Sequence, residues 1–137
     1  MARLFNSIDY ALNDTTSLAW ALAYARFALR DIPNEANVYP ADSLEDTVII
    51  GTITALQVVD TNPDPDVTYY RPHLAAAALI EANPTYVTRF STSGFSEQYR
   101  DAATVARFIR NAGKWIDDKI IELTVGRVGG RSLDVRL

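Results

Sequence analysis

Few residues in this chain have chemistry to offer. His73 is the only histidine and cysteine is absent, which removes histidine-based and thiolate metal centres, cysteine nucleophiles and disulfides together. As a general base His73 would need an acid beside it and a pocket around it. It follows Pro72 at the start of an apolar segment, where it reads as a packed or capping histidine. Asp60, Asp64 and Asp66 could offer carboxylate oxygens to calcium, but their spacing does not match the helix-loop-helix calcium loop, whose glycine and terminal glutamate are missing. Ser93-Gly94 lacks the Gly-x-Ser-x-Gly elbow context. Residues 126–132, Gly-Arg-Val-Gly-Gly-Arg-Ser, lack the Gly-Lys-Ser/Thr ending of a phosphate loop, and no helical pattern follows them. The expectation is no catalytic residue, no metal site, no cofactor, and a protein that is not an enzyme.

Function must then come from surfaces, and the elements that build them are helical. Pro72 suits the first turn of a helix, because its missing N–H would have had no partner there. Asn83, able to turn left-handed, and Pro84, unable to continue the ladder, close the element. Between them Leu74 to Ile80 carries no polar side chain, so this helix is buried on several sides. Upstream, Leu18, Leu22, Ala25 and Leu29 recur at helical spacing after the possible caps Asp14, Thr15 and Thr16. Trp20, Tyr24 and Phe27 form an adjoining stripe that reads as core or as an oligomer interface. Arg26 and Arg30 complement the last turns, and Pro33 is expected to end this helix at about Asp31.

Ser43 and Asp46 suggest a weak capping box before a Val, Ile and Thr-rich segment. A strand competes there, but Ile49, Ile53, Leu56 and Val59 share one helical face and favour helix. Asn62-Pro63-Asp64-Pro65-Asp66 reads as an extended acidic loop. Residues 85–95 read as a loop with some extended structure, and Ser96 as the cap of a long last helix. Its stripe is Ala102, Ala106, Ile109, Gly113, Ile116, Ile120 and Leu123, with Gly113 marking a close crossing or a bend. Asp117 and Asp118, with Arg107, Arg110 and Lys114, are assigned to its wet side. The predicted fold is all-α: four helices near 16–31, 44–60, 72–83 and 97–123 in a bundle with extended loops, and residues 1–13 left irregular as a short strand or helical turn.

At 137 residues and 48% apolar the chain suits one helical domain, residues 1–125, with residues 126–137 as a flexible basic C-terminal arm. The start has no signal-peptide core and no apolar run approaches the length of a membrane span, so an intracellular soluble protein is expected. Formal charge is −4, unevenly placed: residues 31–66 hold eight acids and no base, whereas residues 100–137 hold eight bases against five acids. Such an acidic end and a mildly basic end would suit head-to-tail contact between identical subunits. The acidic balance disfavours tight nucleic-acid binding.

The run Tyr70-Arg71-Pro72-His73-Leu74-Ala75-Ala76-Ala77 resembles the Tyr-Arg-Pro-aromatic-x-Ala-Ala helix of head-to-tail adaptor (connector, or head-completion) proteins of tailed bacteriophages. The likeness extends to the long final helix, with Trp115-Ile116-Asp117 within it. His73 stands where that family usually has phenylalanine or tyrosine, and the N-terminal third shows no match. The resemblance implies a structural virion protein of the neck, between head and tail, assembled in the host cytoplasm. It would form a ring of about twelve copies beneath the portal protein, extend the DNA channel without binding DNA specifically, and present a docking surface to a stopper or tail-completion protein. By position, Arg127, Val128, Arg131, Leu133, Val135, Arg136 and Leu137 form the candidate portal-binding arm. Asp42, Glu45, Asp46, Asp60, Asp64 and Asp66 form a candidate acidic face on the channel or the tail side, where like charge would let DNA slide. Two other classes stay open: a helical regulatory or scaffolding module unrelated to virions, and a small enzyme, which would require a pocket holding His73 with carboxylates close by.

Overall fold

A computed structural model describes residues 5–83 and 101–125. The molecule is mostly helical, with one small two-stranded sheet. In chain order the elements are α1 (Ser7–Ala11), α2 (Leu18–Ala28), α3 (Asp46–Ala55), β1 (Val58–Asp60), β2 (Val67–Tyr69), α4 (Pro72–Ala82), α5 (Ala102–Ala112) and α6 (Lys114–Val125).

The helix starts follow from capping chemistry. Asn6 caps α1 through its side chain, which accepts from the Ile8 and Asp9 N–H groups. Ser17 caps α2 by accepting from Trp20 N–H at 3.1 Å, while Asp14 folds a turn before it by accepting from Thr16. Asp101 caps α5 through Thr104 N–H at 2.8 Å; the cap expected at Ser96 and the loop at 85–95 lie outside the described residues. Helix α2 closes at Ala28 rather than near Asp31. Arg30 takes a left-handed φ of 57°, and Asp31 and Arg30 N–H donate to Arg26 and Phe27 C=O at 2.8 and 3.1 Å. These paired bonds end a helix through a left-handed residue, a place glycine usually fills. Here the Arg30 guanidinium, 5.5 Å over the Phe27 ring, helps hold the conformation.

Helix α4 begins at Pro72 as its sequence dictates and is the centre of the fold. It packs on α2, α3 and α5, and Ala75, Ala76, Ala77 and Ile80 have no exposure. The small alanines let the neighbouring backbones approach, and the β-branched side chains of Ile49, Ile53, Ile80, Val105, Ile116 and Ile120 fill the remaining core. Asn83 closes α4 without the left-handed backbone (φ −132°), its side-chain amide donating to Leu79 C=O at 2.9 Å.

Two predicted helices change. The segment expected to be helical over 44–60 stops at Ala55, and Val58–Asp60 instead pairs antiparallel with Val67–Tyr69 in the register Val58↔Tyr69, Val59↔Thr68, Asp60↔Val67. The acidic loop is therefore the connection of a hairpin. Val59, placed on the buried helical face by its spacing, is exposed on the outer side of β1. The last helix is broken at Gly113, whose C=O accepts from Ile116 N–H at 2.9 Å in a tight turn before α6 resumes.

Candidate functional site

Three groupings of side chains concern function, and the sequence pointed to part of each. The first lies beneath the N-terminus of α4. Arg71, just before the helix, donates Nε–H to Leu56 C=O at 2.9 Å. His73, fully buried, has its Nε2 at 2.9 Å from Asp117 Oδ2. Since a carboxylate only accepts, Nε2 carries the proton in the neutral ring. Burial pushes the His73 pKa down; the hydrogen bond and charge of Asp117 oppose that shift, and Arg71 adds to it. Among the described residues Arg71 Nη1, His73 Nδ1 and Asp117 Oδ1 are buried without hydrogen-bond partners. Asp117 is thus turned inward rather than lying on the wet side of its helix. A histidine oriented by a carboxylate is half of a general-base arrangement. The other half is access, and neither cavity described here includes His73.

The second grouping anchors the acidic segment. Arg26 is fully buried, with Nη1 at 2.9 Å from Asp31 Oδ2 and Nη2 at 2.7 Å from both Asp46 Oδ1 and Leu44 C=O. Asp31 also accepts from Ser43 Oγ at 2.5 Å and Leu44 N–H at 2.9 Å, so Ser43 supports this knot and does not build a capping box. Of the candidate acidic face, Asp46 (7% exposed) and Asp60 (4%) are buried. Asp46 pairs with Arg26, and Asp60 accepts from Asn62 N–H at 3.1 Å. Both belong to the interior of the fold, a correction that burial forces. Glu45 is half-buried, while Asp42, Asp64 and Asp66 are exposed. The candidate arm, Arg127, Val128, Arg131, Leu133, Val135, Arg136 and Leu137, lies outside the described residues.

The third is a groove of about 720 Å³ between α1, α2, α5 and α6, a volume typical of ligand clefts. Its wall is a chain of rings. Tyr10 stacks on Phe27 at 4.8 Å between centroids, Tyr10 and Tyr24 lie 6.0 Å apart, and Tyr24 meets Trp115 edge-on at 6.4 Å. Behind them the buried Trp20 meets Trp115 at 6.1 Å. Burial raises the Tyr24 phenol above its ordinary value, Tyr10 adds to the rise, and a hydrogen bond with Trp115 opposes it. Arg30 and Lys119 also line the groove, and among the described residues no carboxylate does. Phe27, Phe108 and Trp115 remain 38%, 43% and 40% exposed, unusual for a cluster of large rings.

No protein-family model, curated protein or solved structure matches the chain. Among the described residues no group of three or more histidine, aspartate or glutamate side chains could hold a metal ion, and no helix is long and apolar enough to cross a membrane.

Sequence reasoning placed Trp20, Tyr24 and Phe27 on one stripe but could not see that it runs from buried Trp20 to exposed Phe27, nor that Tyr10, Trp115 and Lys119 join it. In the sequence Arg26 reads only as a cation suited to the last turn of the helix, not as the centre of a buried ion network. A signal for Arg26 was present: the residue falls between Leu22 and Leu29 on the buried stripe, ahead of a stretch with eight acids and no base.

Proposed function

We propose that this chain is a structural subunit of a ring in the neck of a tailed-phage particle, seated between the portal protein and a stopper or tail-completion protein. The observation that carries this reading is the role of the motif behind the resemblance. Arg71, Pro72 and His73 start the central helix and tie it to Leu56 and Asp117, so the shared residues are those on which a common subunit fold would depend. Helices α2, α3 and α4 with the bent α5–α6 pair form the four arms of the bundle in this reading.

On this reading residues 126–137 are the arm that docks into the portal, and about twelve copies surround the channel. DNA passes without specific contacts, past a surface to which Asp42, Asp64 and Asp66 contribute. The buried His73–Asp117 pair serves as a clamp between α4 and α6 rather than as a catalyst.

The deciding experiment is quantitative mass spectrometry of purified particles, reading copies of this chain per portal subunit. A ratio near one is expected. Absence from particles would overturn the virion role and leave a helical interaction module.

A further inference from the structure

We infer that the first turn of α6 is a lever that ties the protonation of His73 to the shape of the aromatic groove. The link belongs to the fold itself and is independent of the neck placement. An α-helix turns about 100° per residue, so Trp115 and Asp117, two residues apart, stand about 200° apart, on opposite flanks of α6. On one flank Asp117 Oδ2 lies 2.9 Å from His73 Nε2. On the other, Trp115 meets the rings of Trp20 and Tyr24 at 6.1 and 6.4 Å and lines the groove together with Lys119, one turn further on. Between the flanks Ile116 and Ile120 form a ridge with no exposure.

The His73 side of this arrangement suits only a neutral ring. Nδ1 is buried without a hydrogen-bond partner, as are Asp117 Oδ1 and Arg71 Nη1. A proton added at Nδ1 would make a buried N–H donor with no acceptor, which is costly. Two charged groups act on the ring: Asp117 of α6 favours its charged form, while Arg71, just before α4, opposes it. Among the described residues no group of α2, α3 or α5 acts on it. The first turn of α4, which holds His73, also opposes the charge, since that end of a helix is partly positive. Proton uptake therefore favours an arrangement in which water reaches Nδ1.

Undocking α6 altogether would expose both isoleucines and forfeit more burial than one protonation offsets. A roll of α6 about the Ile116–Ile120 ridge keeps them covered, and the break at Gly113 lets α6 turn without carrying α5 with it. Rolling Asp117 outward brings Trp115 inward, because both are fixed to one helix. Protonation of His73 and the shape of the groove are then coupled in both directions.

The full chain carries its own probes. His73 is the only histidine and there are two tryptophans, so proton NMR gives one imidazole Cε1–H titration, and 5-fluorotryptophan labelling gives two fluorine resonances, assigned with Trp115→Phe. These signals, the H2O–D2O shift difference of Trp115 as a measure of its exposure, and helical circular dichroism are followed against pH without denaturant. The Trp115 resonance is expected to move with the midpoint of the His73 signal and its solvent shift to shrink, while the helical signal stays constant. Asp117→Asn removes the carboxylate that favours the charged ring, so both midpoints should fall to lower pH together. His73→Gln should abolish the Trp115 response; if that variant fails to fold, the paired midpoints of Asp117→Asn carry the test. A Trp115 resonance that stays constant through the His73 titration, a solvent shift that does not shrink, midpoints that separate in Asp117→Asn, or a response that survives in folded His73→Gln would overturn the lever. Loss of the helical signal at the same midpoint would overturn it too, because proton uptake would then unfold the domain instead of rolling α6.

Discussion

His73 fills the space that a side chain on Gly113 would occupy. A Cβ built on Gly113 would overlap His73 Cβ and Cγ and lie 2.7 Å from Cδ2, so α4 touches the α5–α6 joint at its backbone. On propensity alone Gly113→Ala should stabilise a helix by about 1 kcal/mol. The clash decides otherwise, because the overlapped atoms are at the stiff base of a buried side chain that cannot swing aside. Gly113→Ala is expected to lose about 1–3 kcal/mol, read as a lower denaturant midpoint with an unchanged slope. A gain in stability would mean that the contact is loose.

The pH dependence follows from the same histidine. Its pKa is lowered in the folded state from an ordinary 6.5, chiefly by burial, so the unfolded chain takes up the proton first as pH falls. The contribution is fully present above about 6.5 and is lost progressively as pH drops from there toward the folded value. Urea midpoints should therefore fall between pH 7 and pH 5. His73→Gln, which can still donate to Asp117 but cannot titrate, should flatten that part of the profile. An unchanged slope would assign the acid sensitivity to other groups.

Arg26→Met should be among the most damaging single changes. It keeps the length of the side chain but leaves the buried carboxylates of Asp31 and Asp46 without their shared cation. Removing one partner from a buried ion network costs about 3–5 kcal/mol. Thermal unfolding of the variant, compared with Arg30→Met on the exposed side of the same helix end, measures it; equal effects would contradict the buried knot.

Truncation after Val125 tests the arm of the neck proposal. Helical circular dichroism and melting are expected to stay close to those of the full chain while portal binding, measured by co-sedimentation, is abolished. A melted domain would make residues 126–137 part of the core.

Some features were legible because they are local. Pro72 restricts its own backbone and removes an N–H that a first turn does not use, and Leu22, Ala25 and Leu29 repeat at the helical period, so α4 and the inner face of α2 could be read directly. The hairpin was not legible. Its strands are three residues each, too short for alternation to register, and Val59 happens to fall on the helical face of Ile49 and Ile53. Gly113 signalled a break but not its consequence. Carrying one helical period across it assigned Asp117 to water and Leu123 to the core, whereas the restart at Lys114 turns Asp117 toward His73, buries Thr124 and leaves Leu123 exposed.

By itself, then, the sequence determined the helical character, the central Arg-Pro helix and the lack of a recognisable nucleophile or metal motif, since capping, propensity and composition act within a few residues of chain. Only the tertiary structure decided which charges are buried, with Arg26 holding Asp31 and Asp46, and which aromatic rings gather into one open groove. Those outcomes depend on contacts between residues such as Tyr10 and Phe27 or His73 and Asp117, far apart along the chain. Their energies come from desolvation and packing that exist only once the helices have met.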